Sequence, residues 1–258
     1  MRHIRNLYFK TFLKMDGNKL KNKIALVTGA SVGIGAEITK SLANLGMIVI
    51  GIARRDQLVE KLNEEIENSG KIIARKCDVT NSDEVINTFK WIQETFGELN
   101  VFVNNAGMIK ASFLMNTNTE DIKQLFDLNV VSSCVCTKEA LLMMQKNQTK
   151  GHIILINSVL GHRIPDVPVP LFSVYPSTKF ALTALCQTIK QEINYHKLSV
   201  KLTSINPGMV DTDFLKVYQC YDKFPKLKPE NVAQAVVFAL QTPDNVQIDD
   251  ITLQATMY

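Results

Sequence analysis

The chain has 258 residues, 46% of them apolar, and a formal charge of +4. That length and apolar content suit one large α/β core in a single domain. Four of the 29 basic residues, Arg2, Arg5, Lys10 and Lys14, lie in the first 14 positions without an acid; the rest balances 25 basic against 25 acidic side chains and lacks the basic excess of a nucleic-acid binder.

The N-terminal extension, residues 1–21, is basic and aromatic. It is too short, and too often interrupted by charge, for a transmembrane helix or a secretory signal. The expectation is a disordered tail, or a segment upstream of an alternative start at Met15, ahead of a domain spanning 22–258 in the cytoplasm. A mitochondrial presequence or a helix lying on a membrane surface is the alternative.

Residues 24–28, IALVT, predict a short buried strand running into GASVGIG and the helical pattern AEITKSLANLG. Strand, glycine turn and helix together make a phosphate-binding arrangement. Gly29, Gly33 and Gly35 are spaced G-x-x-x-G-x-G, not G-x-G-x-x-G, but make the same physical provision. Glycines let the backbone turn tightly and approach a pyrophosphate, whose charge meets the free amides of the helix start. Ser31 and Ile34 belong to the same loop and are assigned to the cofactor with it. A packing turn is the plainer alternative.

Residues 47–53, MIVIGIA, give a second strand ending at Arg54 and Arg55. An acid in this position accepts from a ribose 2′-hydroxyl, whereas arginine accommodates a 2′-phosphate. Guanidinium suits that role through its planar fork of donors and permanent charge. The implied cofactor is NADP(H). Asp56 reads as the N-cap of a polar helix over 56–70, DQLVEKLNEEIENSG, which the two arginines would otherwise merely open.

ARKCDVT places Asp78 and Val79 at the end of a third strand, and LNVFVNNAG places Asn104, Asn105, Ala106 and Gly107 at the end of a fourth. Ligands of open α/β sheets bind at these carboxyl ends. Asp78 is thereby placed to accept from an adenine amino group, and Ala106 and Gly107 to let backbone lie against a ribose. Asn129 is polar where the helical stretch DIKQLFDLNVVSSCVC favours an apolar residue; a satisfied core asparagine is the plainer reading.

A fifth apolar run, HIILINS, ends at Ser158, and YPSTKFALTAL then begins with Tyr175, followed four positions later by Lys179. On a helix that spacing puts phenol and ammonium on one face. A free tyrosine has a pKa of about 10, so use as a base near neutrality needs about 4 kcal/mol of preferential phenolate stabilisation, much of which an adjacent cation supplies. Carbonyl reduction places growing charge on an oxygen, and two hydroxyl donors converging there meet that need. Between them HRIPDVPVPLF, with three prolines, predicts an extended loop walling the substrate pocket. The five cysteines and four histidines show no ligand spacing, so reduced thiols are expected and a metal is not.

TGASVGIG, Asp78 with Val79, NNAG, Asn129, Ser158, YPSTK and PGMVDT, taken in order over residues 22–255, resemble the motif set of the classical short-chain dehydrogenase/reductase superfamily. Within it, GIARR, INSVLGHR, LKPENVAQAV and VQIDDITL are similar to insect farnesol dehydrogenase-like proteins and a vertebrate cytosolic group that reduces steroid and other carbonyls with NADPH. The resemblance implies a Rossmann-like, doubly wound, mainly parallel seven-stranded sheet. It implies that Tyr175 exchanges a proton with the substrate oxygen, that Lys179 lowers its pKa and holds the nicotinamide ribose, and that Ser158 orients the carbonyl. Asn129 would hold a water linking Lys179 to solvent, and Pro207, Gly208, Val210 and Thr212 would face the nicotinamide carboxamide. The expected substrate is a small apolar carbonyl or alcohol: an isoprenoid such as farnesol, a steroid or a xenobiotic.

Only 14 residues, 213–226, separate Thr212 from LKPE, a shorter substrate cover than in the vertebrate relatives. Its Phe214, Leu215, Val217, Tyr218, Tyr221 and Phe224 suggest an apolar wall. A homodimer or homotetramer is implied, with Phe180, Leu182, Leu185 and Ile189 suiting its face or the core equally. Two other readings stand beside this one. An epimerase or dehydratase of the extended relatives would carry a longer C-terminal region. A catalytically weak NADP-binding sensor or scaffold would have lost part of the four-residue set, which is intact here.

Overall fold

The computed structural model describes residues 19–68, 70–167, 169–212 and 224–256. Seven parallel strands form one sheet: β1 (Ile24–Thr28), β2 (Ile48–Ala53), β3 (Lys71–Lys76), β4 (Val101–Asn104), β5 (Gly151–Ile156), β6 (Val200–Pro207) and β7 (Asp250–Leu253), in the order β3-β2-β1-β4-β5-β6-β7. Every residue of β1, β4 and β5 is buried, as parallel strands covered on both faces require. The strand order reverses between β1 and β4. The connections leaving their carboxyl ends therefore run to opposite faces of the sheet and open a crevice.

Alternation along the strands divides the core in two. Ala25 and Val27 of β1 face the layer of helices α1 (Gly33–Asn44), α2 (Asp56–Lys61) and, from the far end of the chain, Pro229–Gln241. Ile24 and Leu26 face the opposite layer: α3 (Ser82–Phe96), α5 (Ser132–Lys146) and α6 (Tyr175–Tyr195). Helix α4 (Thr119–Phe126) leads into α5 through a π turn over Asp127–Val131. Helix Pro229–Gln241, numbered α7, packs on α1. Local signals explain the boundaries. Asn81 caps α3 by accepting from the amides of Asp83 and Glu84, and Gly97 ends it at φ +77°.

Several boundaries differ from expectation. Leu20 is buried in the first core layer and Lys19 pairs with Asp244 at 3.1 Å, so the packed body begins ahead of position 22. Residues 1–18, on which the expected disordered tail or targeting segment falls, lie outside the described residues. The polar helix is α-helical only over 56–61, then tightens into a 3₁₀ turn over 62–65. Asn63 is the cause: its side chain accepts from Ile72 N and donates to Ile72 O, both at 3.1 Å, drawing the chain onto β3. Asp56 is the first helical residue and Arg55 holds the cap position. Of the four residues proposed for a subunit face, Leu182 and Ile189 lie in the core, Leu185 is half-buried against it and Phe180 is exposed. A 21-residue helix packed on the sheet spends its apolar stripe inward. No helix among the described residues is long and apolar enough to cross a membrane.

Candidate active site

The crevice between β1 and β4 continues along the strand ends as one cleft of about 780 Å³. Its floor is the turn after β1. Gly29, at φ +66°, has the left-handed backbone that favours glycine, and a Cβ there would lie 3.0 Å from Ala106 Cα. At Gly35 an added Cβ would come within 2.3 Å of Gly29 O and 2.5 Å of Asn105 Nδ2. The loop is thus folded tightly against the end of β4. Val32 at the cap of α1 offers no side-chain hydrogen bond, and the first turn contains no acid. Its amides are left to an anion. Ser31 and Ile34 line the same cleft, and Thr212 closes over Gly33, its Cγ2 3.2 Å from where a Cβ would stand.

Thr28 ties the two strand ends together. Its hydroxyl accepts from the amides of Asn105 and Ala106, both at 2.9 Å, while Asn105 Nδ2 donates to Thr28 O at 2.9 Å and Gly29 O at 3.3 Å. Arg54 and Arg55 line the cleft and are exposed; neither guanidinium makes a hydrogen bond or ion pair among the described residues. Asp78 and Val79 stand in the same wall. Asp78 Oδ1 accepts from the Thr80 amide and hydroxyl, and its own amide donates to Glu84, which fixes the carboxylate at the strand end. Ala106, Gly107, Pro207, Gly208 and Val210 complete the lining, with Gly208 N bonded to Leu253 O at 2.7 Å and Val210 paired with Leu227.

Ser158, Tyr175 and Lys179 share the remaining end of this cleft. Ser158 follows β5 and caps a 3₁₀ turn, Val159–Gly161: its Oγ accepts from Leu160 N at 3.1 Å, leaving the hydroxyl proton to donate. Tyr175 opens α6, where Pro176 fits the first turn. Tyr175 is half-buried, Lys179 buried. Lys179 Nζ lies 5.7 Å from the Tyr175 ring centroid and donates to Ile156 O at 3.1 Å. Burial pushes the Tyr175 phenol well above its ordinary value, with a hydrogen bond to Ser158 acting the other way. Burial also pushes the Lys179 ammonium down to about 8. In the protein alone burial therefore favours the protonated phenol. A protonated phenol is a donor, the form that carbonyl reduction requires.

Asn129 is placed differently from the others. It is buried in the π turn and does not line the cleft. Its Oδ1 accepts from Met108 N at 2.8 Å; its Nδ2 donates to Met108 O at 2.8 Å and Thr178 Oγ1 at 3.1 Å. Both amide donors are thus engaged with protein. Thr178 in turn donates to Tyr175 O at 2.7 Å, linking the π turn to the start of α6.

The substrate end is apolar. Pro165, Val167, Val169 and Phe172 of the proline-rich loop line it with Met108, Ile109, Met209 and Phe224. Residues 213–223, and with them Phe214, Leu215, Val217, Tyr218 and Tyr221 of the expected cover, lie outside the described residues.

A family model for short chain dehydrogenases matches residues 23–220. The chain belongs to the short-chain dehydrogenase family. Like other short-chain dehydrogenases it is an oxidoreductase that acts on alcohols or carbonyls with a nicotinamide cofactor. It is 39% identical over 235 residues to a farnesol dehydrogenase of Aedes aegypti, covering 90% of this chain and 95% of that protein. It is 36% identical over 251 residues to the human dehydrogenase/reductase SDR family member 11, covering 92% and 95%. Among solved structures it is similar to an alcohol dehydrogenase from the archaeon Thermococcus sibiricus complexed with 5-hydroxy-NADP, with a TM-score of 0.82, 28% identity and coverage of 92% of this chain and 98% of that one.

Thr28, Asn157 and Thr183 are residues that sequence reasoning passed over. Thr28 reads only as the last residue of an apolar strand. Asn157 carried a signal, being the polar interruption of HIILINS before Ser158.

Proposed function

We propose that this short-chain dehydrogenase reduces a small apolar carbonyl to its alcohol with NADPH. The carrying observation is that Ser158, Tyr175 and Lys179 meet at the apolar end of a cleft whose other end holds the glycine loop and two arginines whose guanidinium groups are unpaired among the described residues. Fit of the cofactor is supported by the cradle itself, where a single methyl at Gly35 would strike Gly29 O, and by the uncapped amides of α1. Gly29, Ser31, Gly33, Ile34 and Gly35 would hold the pyrophosphate, and Arg54 and Arg55 the 2′-phosphate. Asp78 and Val79 would meet the adenine, Asn105, Ala106 and Gly107 the adjoining ribose, and Pro207, Gly208, Val210 and Thr212 the nicotinamide. When bound, NADPH supplies the hydride.

The chain's own residues supply the rest. Ser158 donates its free hydroxyl proton in a hydrogen bond to the carbonyl oxygen and orients it. Tyr175 transfers the phenolic proton to that oxygen as charge grows there. Lys179 stabilises the phenolate left behind and gives it a proton, which solvent then replaces on the lysine, while Asn129 holds the Met108 backbone and the start of α6 in place. The apolar wall from Pro165 to Phe172 excludes water and favours a hydrocarbon body, as in an isoprenoid, steroid or xenobiotic carbonyl. The farnesol dehydrogenase and NADP-complex relatives support this class and this cofactor.

The test is a screen of isoprenoid, steroid and quinone carbonyls followed by NADPH absorbance, repeated with Tyr175→Phe. Loss of the proton donor should lower turnover by at least about 10²-fold and leave NADPH affinity intact. A Phe variant as fast as wild type rejects the assignment, and a chain that binds NADPH yet turns over none of these carbonyls favours a sensor.

A further inference from the structure

Ser158 is followed and preceded by contacts that the proposed chemistry leaves without a task. Asn157, in the cleft wall, is 3% exposed. Its Nδ2 donates to Thr183 Oγ1 at 2.9 Å. Its Oδ1 is, among the described residues, the buried side-chain polar atom that lacks a hydrogen-bond partner. Thr183 stands one helical turn beyond Lys179 on α6 and donates to Gly161 O at 2.8 Å. Gly161 ends the turn that Ser158 begins. An added Cβ there would lie 2.8 Å from both amide atoms of Asn157 and from Lys179 O. Turn, amide and helix are therefore in direct contact, with no room for a side chain between them.

Burying an amide with its oxygen unpaired is unfavourable, and a leucine of similar volume would avoid that loss. What leucine lacks is a donor for Thr183, whose hydroxyl is thereby turned so that its proton points at the Gly161 carbonyl. We infer that Asn157 and Thr183 are positioning residues, a hydrogen-bonded clamp that seats the Ser158–Gly161 turn on α6 and so sets Ser158 against Tyr175. The bond from Lys179 Nζ to Ile156 O ties the same strand end to the same helix one step earlier. The phosphate loop lies across the cleft after β1 and is untouched by the clamp. The inference rests on the proposed function for the roles of Ser158 and Tyr175.

Thr183→Val preserves shape and removes both hydrogen bonds, while Thr183→Ser retains them. With the best carbonyl from the screen, kcat should fall by about tenfold or more in Thr183→Val, since small displacements of a reacting group have effects of this order. The Kd for NADPH should hold, and Thr183→Ser should recover the rate. Hydrogen exchange followed by mass spectrometry reads the clamp without turnover. The amides of Leu160, Gly161 and His162, bonded to Ser158 Oγ, Ser158 O and Val159 O, should exchange faster in Thr183→Val while β5 and the rest of α6 keep their protection. Wild-type kcat together with wild-type exchange in this turn overturns the inference. So does loss of protection throughout β5 and α6, or a serine variant as slow as valine, because either makes the contact merely structural. Should wild type reduce none of the carbonyls, the proposed function fails while the exchange rates still decide the clamp.

Discussion

Replacing Arg54 and Arg55 together by alanine tests the cofactor assignment most directly, because no contact among the described residues depends on their side chains. Both are exposed, and neither guanidinium has a hydrogen bond or ion pair among the described residues. Their loss should leave fold stability within about 0.5 kcal/mol, the usual range for such surface positions. A hydrogen bond to a charged group contributes roughly 1.5–3 kcal/mol. Two features argue for the lower end: water screens the pair, and Asp56 follows in the first turn of α2 as a local opposing charge. Taking about 1.5 kcal/mol from each arginine gives about 3 kcal/mol, so the Kd for NADPH should rise by about 10²-fold. NADH, without the 2′-phosphate, should bind as before. Titration of reduced-nicotinamide fluorescence for both cofactors, at low and at high salt, measures this difference, and the NADPH preference should shrink as salt rises. Wild type binding NADH as tightly as NADPH refutes the reasoning. Equal weakening of both cofactors in the double variant refutes it too, since that would reflect general damage.

Lys179→Met should abolish turnover yet stabilise the protein. With the folded pKa lowered to about 8, the buried ammonium opposes folding at every pH below that value; at neutrality the cost is about 3 kcal/mol, partly offset by its bond to Ile156 O, so a net gain of about 2 kcal/mol should appear as a higher Tm in calorimetry. An unchanged or lower Tm contradicts the burial argument. His152 is buried against Thr203 Oγ1 at 2.8 Å, and burial beside Lys201 and Lys19 lowers it to about 3. Because the folded value lies below the unfolded one of about 6.5, its contribution is whole above pH 6.5 and is lost progressively as pH falls toward 3; at pH 5 the loss is about 2 kcal/mol, and urea titrations of His152→Gln should show a correspondingly flatter slope between pH 7 and 5. Gly35→Ala should eliminate NADPH binding in the same fluorescence titration, since its methyl would stand 2.3 Å from Gly29 O, and retained affinity would show that the loop yields.

What was legible in the chain was what local spacing encodes. The glycine loop, the Tyr175 and Lys179 pair and the polar residues ending each strand all declare themselves within a few positions, and parallel topology then carries these ends to one edge. Partners distant in sequence were not legible. The hydroxyl of Thr28 holds Asn105 and Ala106 from 77 and 78 residues away, and Asn157 finds Thr183 across 26. Helix lengths misled where a side chain captured backbone, as Asn63 does on β3. The apolar stripe of α6 could not reveal by pattern whether it faced core or subunit; packing assigns Leu182 and Ile189 to the core.

The π turn at Asp127–Val131 has a consequence for how this region tolerates change in length. A wide turn holds one residue more than a regular one, so the segments before and after it are out of phase by about 100°. Leu125 on one side and Cys136 and Ala140 on the other are all buried with that offset in place. Deleting a single residue here would restore uniform winding and should raise intrinsic helix stability. It would also rotate one half against the other, so that either Leu125 or the Cys136 stripe is turned toward solvent and Asn129 is swung away from the Met108 backbone. The stretch from Thr119 to Lys146 is thus phase-locked, and a shortened variant that gains helicity should nonetheless lose the coupling between the cleft wall and the start of α6.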